Sequence, residues 1–596
     1  MKAISLNKSV GFVVLIGVLI SFYKYYYFGG IQIDMLPIIY RNLDSNFLPN
    51  DFYTNVSEAF NEDFIFAKIV GSFTHFVSLP IVFFSFTLLS NVGIALVSFF
   101  TARDLSKKNN LIGLIAAILA ITISTFQWGN RDLLFRIELT PEHLIMPLIL
   151  LAIWMGIKQR PILVGLFAGL ATFSHPLTGP GIGGLLLLQI LITQIWYKQL
   201  NWSLVKKLAL GGIICLLPLM LYLVPYYQSF DYQISDALFI EIMEARFPQH
   251  YLPSYFFTPL KLFTGLSFLL ATLLAWKKWK DEVKPPLYQY SSLYIHTAIL
   301  FVLCLLGWLF SEVWPTRFMF TLHPFRFLLI LKFYGVLAFA LYAGKIIESS
   351  DTIRTKATIV SAVFIPPLLF LYQIWIKKYK EVPLVVAFLC FGLFLYFGDL
   401  SRSFFEPFIL FFCLLWLYCR RFKFFKIAVL LLGIGIIINM TDLPAKHLNE
   451  RFDKALSKRF RPDFFSNSES NSEVGIANYI KANTDEESLL LVMPRQGRLR
   501  ILANRALVVD GYGMPMNDKG LEEWWYRMNA VYNKGEEEGF NHIKVTMPNY
   551  NKLSDEDFLE LQEEFNFQYA VVLASKQTNH RVAYENKDFK LLDFTK

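Results

Sequence analysis

Long apolar stretches recur between residues 10 and 440, and they constrain the fold of this chain more than any other feature. A helix crosses a bilayer with about 20 apolar residues, or fewer when flanking polar side chains reach the interface. The candidate spans are 10–28, 76–101, 111–126, 143–157, 161–174, 181–197, 208–225, 259–276, 292–310, 327–344, 357–376, 383–398, 403–419 and 427–440. They predict a mainly α polytopic membrane protein of about 13 transmembrane helices, followed by a soluble α/β domain at the C-terminus.

The composition agrees with a chain whose solvent is lipid. Its 596 residues are 55% apolar and only 17% charged, whereas soluble domains average about 25% charged residues. A soluble chain with this much apolar surface would aggregate, because it lacks the polar side chains to cover itself.

The net charge of +9 lies largely in short basic runs between the apolar stretches. The main runs are Lys107-Lys108, Lys158 to Arg160, Lys206-Lys207, Lys277-Lys278 and Arg420 to Lys426. This is the positive-inside pattern of cytoplasmic loops, so no nucleic-acid partner is expected.

With the N-terminus inside, the external loops are 29–75, 127–142, 175–180, 226–258 and 311–326. Beyond residue 345, the basic runs at 345–356, 377–380 and 420–426 all favour the cytoplasmic side, yet only one predicted span separates the first two. Keeping Arg420 to Lys426 inside places the C-terminal tail outside.

The chain changes character at about residue 441, where long apolar runs end and charge density rises. This divides it into a transmembrane domain at 1–440, a polar linker at 441–473 and a soluble α/β domain at 474–596. Short apolar runs bounded by helices predict a small, largely parallel sheet in that domain. No glycine-rich phosphate loop follows any predicted strand, which argues against a nucleotide site.

The first external loop, 29–75, supplies the first candidate site residues. Asp34 follows the first span at the bilayer interface, where partial desolvation suits a carboxylate acting as a base. Its alternative is a helix cap or a solvated loop acid. Arg41 and Asp51 are candidate substrate-binding residues in the same loop. Asp51 follows Pro49-Asn50, so capping a helix is its alternative role.

The second external loop is dense in polar residues for a membrane protein. It carries Arg131, Asp132, Arg136, Glu138 and His143 within thirteen residues. Asp132 and Arg136 stand four apart and would pair if that segment is helical. Asp132 and Glu138 are candidates for catalysis, and Arg131, Arg136 and His143 are candidates for binding substrate. Glu138 and His143 are also candidates for orienting an acceptor or a metal.

Cations at the external mouths of two further spans suit a lipid-linked phosphate. Arg317, His323 and Arg326 precede the span at 327–344, and guanidinium groups bind phosphate oxygens in a bidentate manner. Snorkelling arginines at a helix end are the alternative. His175 ends an apolar helix, where it acts either as a structural histidine or as a further substrate contact.

The arrangement resembles the GT-C class of membrane glycosyltransferases. The shared features are many spans, an acidic first external loop beginning at Asp34, a second acidic external loop with Asp132 and Glu138, and a C-terminal extracytoplasmic domain. More narrowly, the chain resembles a group of uncharacterised bacterial membrane proteins. The matching stretches are Asn42 to Asp51 (NLDSNFLPND), Ser174 to Pro176, Arg498 to Pro515 (RLRILANRALVVDGYGMP) and Glu522 to Arg527 (EEWWYR).

The GT-C resemblance implies how the candidate residues would act. Asp34 would assist the attack of an acceptor on a polyprenyl-phosphate sugar, with Glu138 or Asp132 as the second-loop acid. Met35 stands where the class often has a second acid, which favours a mechanism without a metal and leaves a divalent metal as the alternative. The resemblance also implies a bacterial inner membrane location, with the C-terminal domain in the periplasm.

The function predicted from the sequence is therefore transfer of a sugar at the outer face of the membrane. The expected partners are a polyprenyl-phosphate sugar donor, the bilayer, and a glycan, lipid or protein acceptor. Two alternatives remain open, namely a transporter or flippase and a non-catalytic envelope assembly protein. The nearly acid-free spans argue against the transporter, because transporters place ionisable residues at mid-membrane. Convergence of Asp34, the second-loop acids and the cations at 317–326 on one cavity would favour the transferase.

Overall fold

A computed structural model describes residues 5–25, 27–28, 32–59, 61–122, 134, 138–228, 232–257, 259–349, 470–532 and 543–595. The helices before residue 350 are α1 (Leu6–Lys24), α2 (Gln32–Leu43), α3 (Phe52–Ala59), α4 (Phe64–Phe73), α5 (Leu79–Leu105), α6 (Asn110–Thr122), α7 (Pro141–Ile157), α8 (Pro161–Thr172), α9 (Thr178–Trp196), α10 (Trp202–Leu216), α11 (Met220–Gln228), α12 (Asp236–Arg246), α13 (Pro248–Tyr251), α14 (Pro253–Phe256), α15 (Pro259–Val283), α16 (Leu287–Trp308), α17 (Arg317–Leu322) and α18 (Leu329–Ser349).

The helical part is that of a membrane protein. Within the described residues, five helical segments are long and apolar enough to span a bilayer, namely Leu79–Leu105, Thr178–Trp196, Trp202–Pro225, Leu287–Val313 and Arg317–Lys345. Shorter apolar helices coincide with several other predicted spans, including α1, α6, α7 and α8. The predicted spans from 357 to 440 lie outside the described residues. A total of about 13 transmembrane helices is therefore not confirmed.

Glycine allows the closest packing between the membrane helices. A Cβ atom at Gly165 in α8 would overlap the carbonyl oxygen of Gly211 in α10. A Cβ atom at Gly211 would lie 2.5 Å from the carbonyl oxygen of Pro161. Small residues at such crossings let two backbones approach and gain dispersion energy, which drives association of helices in lipid.

The first external loop folds into α2, α3 and α4 rather than remaining extended. These helices pack with the end of α1 and the start of α5 around a common core that includes Tyr27, Ile33, Phe66, Val70 and Phe83. Because this core fixes α2 against the membrane helices, the position of Asp34 in the first turn of α2 is fixed as well.

The soluble domain is α/β with a mixed sheet. Its elements are α19 (Ser470–Asn483), β1 (Leu489–Leu491), α20 (Leu499–Leu502), β2 (Ala506–Leu507), α21 (Asp518–Tyr532), α22 (Ile543–Lys552), α23 (Asp555–Phe565), β3 (Tyr569–Leu573), β4 (Arg581–Glu585) and β5 (Phe589–Asp593). The strand order is β2-β1-β3-β5-β4. β2, β1 and β3 are parallel, whereas β5 and β4 are antiparallel to their neighbours.

The prediction of a largely parallel sheet is correct for only three of these five strands. Strand β4 does not follow from the short apolar runs of the sequence, because Arg581–Glu585 has no buried apolar run. The strand lies at the sheet edge, and none of its residues is fully buried. A strand exposed on one edge needs little apolar content, so its sequence resembles a loop.

The soluble domain rests on the external loops of the membrane part. One continuous core joins domain residues such as Leu521 to Phe52 of α3, Ile242 of α12 and Phe320 of α17. Asn50 Nδ2 also donates a hydrogen bond to the carbonyl oxygen of Glu487 at 3.1 Å. The domain therefore lies on the same side of the membrane part as the first external loop.

Candidate active site

Asp34 occupies a buried position where the first loop meets the soluble domain. Its Oδ1 atom is buried and has no hydrogen-bond partner within the described residues. Tyr53 of α3 donates its hydroxyl to the backbone carbonyl of Asp34 at 2.9 Å, which ties α3 to α2. Buried polar atoms are nearly always paired, so an open carboxylate oxygen here indicates a place for a ligand or water.

Charged groups from three parts of the chain act on Asp34. Burial raises the pKa of the Asp34 carboxyl well above its usual range. Arg246 and Arg500 oppose that rise in pKa, whereas Asp510 and Asp63 add to it. A carboxylate whose pKa is raised is a stronger base than a solvated one, which is what proton removal from an acceptor requires.

Arg500 of α20 joins the soluble domain to the first loop through a buried ion cluster. Its Nε atom lies 2.8 Å from Asp51 Oδ2, and its Nη2 atom lies 2.8 Å from Asp510 Oδ2. All three side chains are at most 1% exposed. Buried charges are tolerated only when paired in this way.

Asp51, a predicted substrate-binding residue, accepts hydrogen bonds from other groups of the protein through both carboxylate oxygens. Its Oδ1 caps α3 by accepting the backbone N–H of Thr54 at 2.8 Å, and its Oδ2 accepts the backbone N–H of Leu507 at 3.0 Å as well as Arg500. The capping alternative of the sequence analysis is therefore the one found. Both oxygens are occupied, so no face of this carboxylate remains for a substrate.

Arg41 has a comparable structural task. Its guanidinium donates to the carbonyl oxygens of Ser45 at 2.8 Å and Leu48 at 3.0 Å, and it also contacts Asn55 Oδ1. These bonds fix the turn between α2 and α3. Arg41 therefore stabilises the loop that carries Asp34.

Arg317, a predicted substrate-binding residue, contacts the soluble domain. Its Nη2 atom lies 2.6 Å from Asp518 Oδ1 of the soluble domain, and its Nη1 atom donates to the carbonyl oxygen of Ile234 at 3.4 Å. The guanidinium also lies 4.5 Å from the ring centre of Phe239. Arg317 is thus a docking residue between the membrane part and the domain.

His323 and Arg326 do lie together, at the external end of α18. Arg326 Nε lies 3.1 Å from His323 Nδ1, and His323 Nε2 lies 2.8 Å from the carbonyl oxygen of His250. The rings of His250 and His323 stack at 5.3 Å. His323 adopts a left-handed backbone conformation with φ of 49° between two short helices, a conformation that is uncommon for residues other than glycine.

His175 lies in the same polar region as His323 and Arg326. Its Nε2 atom lies 3.4 Å from Glu142 Oε1, and its Nδ1 atom accepts the backbone N–H of Thr178 at 3.2 Å. Thr178 Oγ1 in turn lies 3.5 Å from Arg326 Nη1. A connected polar chain therefore runs from Glu142 to His323 across the N-terminal ends of α7, α9 and α18.

The second external loop is described only in part. His143 is buried, with its Nε2 atom 2.8 Å from Asn91 Oδ1 and its Nδ1 atom 3.3 Å from the backbone oxygen of Glu138. These bonds connect the loop to α5. Three other predicted site residues lie outside the described residues, namely Arg131, Asp132 and Arg136.

Arg246 is the cation that links the Asp34 region to the His323 region. It ends α12, and its guanidinium lies 4.3 Å from the ring centre of Phe247 and 5.9 Å from that of Tyr512 in the soluble domain. Its charge acts on Asp34, and four residues later His250 stacks on His323. The first loop, the loop at 232–257 and the soluble domain thus converge on one external region.

A divalent metal finds no ready ligand set in this region. The described residues contain no group of three His, Cys, Asp or Glu side chains that is arranged to hold a metal ion. The second-loop acid Asp132 lies outside those residues.

Solved structures of similar fold cover nearly the whole chain. ArnT from Cupriavidus metallidurans bound to undecaprenyl phosphate matches with a TM-score of 0.50 and 14% identity, over 98% of this chain and 97% of that one. This chain shares the GT-C fold. The apo state of the same ArnT matches with a TM-score of 0.46 and 13% identity, over 98% and 96% of the two chains.

Further comparisons add less. The archaeal oligosaccharyltransferase AglB from Archaeoglobus fulgidus, in complex with an inhibitory peptide and a dolichol-phosphate, matches with a TM-score of 0.45 and 12% identity. That match covers 96% of this chain and 70% of AglB. Residues 472–531 match the family described as Domain of unknown function (DUF6798). No curated protein matches the sequence.

Within this GT-C fold, the sequence analysis missed Arg246, Glu142 and Asp510 as members of the site. Arg246 lay unmarked in a loop at 226–258, although an arginine followed by Phe-Pro at the end of an amphipathic segment was a usable signal. Asp510 belongs to the DGYG segment within the stretch Arg498 to Pro515, which the resemblance marked without assigning it a role.

Proposed function

We propose that this protein is a membrane glycosyltransferase that moves a sugar from a polyprenyl-phosphate-linked donor to an acceptor at the outer face of a bacterial inner membrane. The observation that carries the proposal is the buried carboxylate of Asp34, whose Oδ1 atom is unpaired within the described residues. The cations Arg246 and Arg500 act on that same carboxylate. The GT-C fold of the chain supports the choice of reaction class.

The proposed chemistry is a single displacement at the anomeric carbon of the sugar. Asp34 accepts the proton of the acceptor hydroxyl or amine while that oxygen or nitrogen bonds to the anomeric carbon. The bond from this carbon to the phosphate oxygen breaks, and its electron pair leaves with the polyprenyl phosphate. No oxidant, reductant or further reactant is needed, and attack from the face opposite the phosphate inverts the anomeric configuration.

The departing phosphate needs a positive partner, and Arg246 is the cation best situated for that task. It acts on Asp34 directly and is carried by a loop that also reaches His323 and Arg326. Guanidinium groups stabilise phosphate oxygens through charge-assisted hydrogen bonds. The proposed steps use protein side chains alone.

His175 and Glu142 belong to the same proposal as residues that hold the site together. Their 3.4 Å contact ends a hydrogen-bonded chain that fixes Thr178 and Arg326 at the external helix ends. In this proposal His323 and Arg326 face the lipid carrier, and Glu138 and Asp132 of the second loop contact the acceptor.

Replacing the carboxylate tests the proposal. Asp34→Asn keeps the size of the side chain and removes the base, so transfer from a polyprenyl-phosphate sugar should fall about 100- to 10,000-fold in the purified, folded protein. The rate of sugar transfer to added acceptors is measured with several radiolabelled donors, and thermal unfolding reports on the fold.

Asp44→Asn is the matched control. Asp44 lies in the same loop but is exposed, and its Oδ1 accepts the backbone N–H of Asn46 at 2.9 Å. We expect this variant to transfer at the rate of the natural protein. An Asp34→Asn variant that transfers sugar as fast as the natural protein would remove Asp34 from the mechanism.

A further inference from the structure

The soluble domain forms one wall of the region around Asp34. A Cβ atom at Gly497 would lie 2.5 Å from Asp510 Oδ1 and 3.2 Å from Ile33 Cγ2, and Ile33 precedes Asp34. A Cβ atom at Gly513 would lie 3.0 Å from both Asp510 Oδ2 and Tyr53 Cγ. A side chain at Gly497 would force Asp510 to shift, and one at Gly513 would make tight contacts, so the domain approaches α2 and α3 closely at these two glycines.

Asp510 is held rigidly in that wall. Its Oδ1 atom accepts the backbone N–H groups of Tyr512 at 2.8 Å and Gly513 at 3.0 Å, and its Oδ2 atom lies 2.8 Å from Arg500 Nη2. Trp524 Nε1 donates to its backbone oxygen at 3.0 Å. The side chain is fully buried, so its charge is poorly screened by solvent and acts at a fixed place.

Arg500, in this wall, has a buried nitrogen atom that is open to a ligand. Arg500 Nη1 has no hydrogen-bond partner within the described residues, as is also true of Asp34 Oδ1. The Arg500 guanidinium lies 5.2 Å from the ring centre of Tyr53, whose hydroxyl contacts the Asp34 backbone. Arg500 Nη1 is thus a hydrogen-bond donor, and Asp34 Oδ1 an acceptor, that a bound ligand could use where the domain meets the first external loop.

We propose that Asp510 is a positioning residue for the reaction, which sets the protonation of Asp34 from the soluble domain and makes that domain part of the active site. The inference rests on the proposed function, in which Asp34 is the base. The stretch 472–531, which matches a domain of unknown function, would then act by completing a membrane active site.

The charges around Asp34 determine the sign of the effect. The groups that act on it are Arg246 of α12, Asp63 before α4, and Arg500 and Asp510 of the domain, with Tyr53 beside its backbone. After burial, Asp510 and Asp63 raise the pKa of Asp34, while the two arginines lower it. Removing the charge of Asp510 therefore lowers the pKa of Asp34. Arg500 is then less neutralised, and its positive charge lowers the pKa of Asp34 further.

Labelling with dicyclohexylcarbodiimide tests the inference independently of transferase activity. This apolar carbodiimide reacts with protonated carboxyl groups, so the labelling of Asp34 falls as pH rises through its pKa. Mass spectrometry of the full-length protein in detergent measures the labelled fraction of Asp34 between about pH 4 and pH 9. The labelling midpoint is the quantity that is compared between variants.

Asp510→Asn should move this midpoint to lower pH, because the negative charge that raises the pKa of Asp34 is gone. Asparagine keeps an oxygen for the N–H groups of Tyr512 and Gly513, and Asp51 still neutralises Arg500, so the fold should persist. Asp510→Glu restores the charge and should return the midpoint toward that of the natural protein. Asp518→Asn, in the same domain but paired with Arg317, should leave the midpoint unchanged.

An unchanged midpoint in folded Asp510→Asn overturns the inference, as does an Asp34 that never reacts in the natural protein. If Asp510→Asn does not fold, Gly497→Ala replaces it, since the added methyl carbon would lie 2.5 Å from Asp510 Oδ1 and must displace that carboxylate. Its midpoint should also shift, because the charge of Asp510 then acts on Asp34 from another place, and an unchanged midpoint again refutes the coupling. A shifted midpoint in a protein that transfers no sugar would retain the coupling and reject the proposed function.

Discussion

Two aspartates of the first external loop illustrate how one residue type performs different tasks when its hydrogen-bond partners differ. Asp51 accepts bonds from Thr54, Leu507 and Arg500, so both of its oxygens are engaged inside the protein. Asp34 is buried too, but its Oδ1 atom has no partner within the described residues. A carboxylate held this way can exchange a proton with a bound acceptor, whereas one that is saturated with donors cannot.

Arg246 offers a test at the scale of a single residue. Arg246→Gln removes the cation proposed to bind the donor phosphate, and a charge-assisted hydrogen bond contributes about 1.5–3 kcal/mol. We therefore expect the KM for the polyprenyl-phosphate sugar to rise about 10- to 100-fold. Steady-state kinetics with a varied donor concentration measure the change.

Arg581→Gln is the control for this experiment, because Arg581 is a largely exposed arginine on the edge strand β4. Its KM should equal that of the natural protein. An Arg246→Gln variant with an unchanged KM for the donor would show that another group holds the phosphate.

At the scale of elements, close backbone contact explains how short apolar helices form a stable membrane bundle. α8 has only 12 residues, yet it crosses α10 where Gly165 faces Gly211. Lipid tails are as apolar as the side chains of α8, so no hydrophobic effect drives this helix against α10. The dispersion energy gained at the close crossing stabilises the contact instead.

Gly165→Ala should disrupt this crossing. The added methyl group would overlap the Gly211 carbonyl oxygen, so the helices must separate, at a cost of about 1–3 kcal/mol or more. We expect a lower thermal unfolding midpoint and less monodisperse protein in detergent. Gly212→Ala is the matched control, because a Cβ atom there meets no atom within 4 Å. Equal midpoints for the two variants would contradict a role for this crossing.

At the scale of the whole molecule, two buried or half-buried ion-paired contacts add to the shared apolar core in holding the soluble domain on the membrane part. One is the buried cluster of Arg500 with Asp51 and Asp510, and the other is the pair of Arg317 with Asp518. Their partners come from the first loop and from α17, so the domain bridges distant external segments. The site around Asp34 exists only while that bridge is in place.

Cysteine labelling tests the orientation of this assembly. In a variant whose five natural cysteines are replaced, Ser45→Cys in the first loop and Glu563→Cys in the domain should both react with a membrane-impermeant maleimide from the periplasmic side. All three tested positions are exposed, and Lys198→Cys in the basic loop before α10 should react only after the membrane is opened. Opposite labelling of Ser45→Cys and Glu563→Cys would contradict the docking of the domain on the first loop.

The sequence predicted the membrane class and the resemblance to GT-C proteins, because both follow from local apolar periodicity and from short polar motifs near span ends. It also singled out Asp34, whose position after the first span is a local feature. It offered helix capping for Asp51 only as an alternative and no structural role for Arg41, because the partners of these side chains decide such roles. Arg500, the partner of Asp51, lies 449 residues further along the chain.

The sequence by itself therefore determined that the chain is a mostly helical polytopic membrane protein, since long apolar runs allow no other stable solution. Tertiary structure alone decided which polar residues stay open for chemistry. The state of a carboxylate depends on its burial and on the charges near it, and at Asp34 these come from α12 and from the soluble domain. Contacts of such sequence separation leave no periodic signal, so only the folded chain shows that Asp51 is saturated and Asp34 is not.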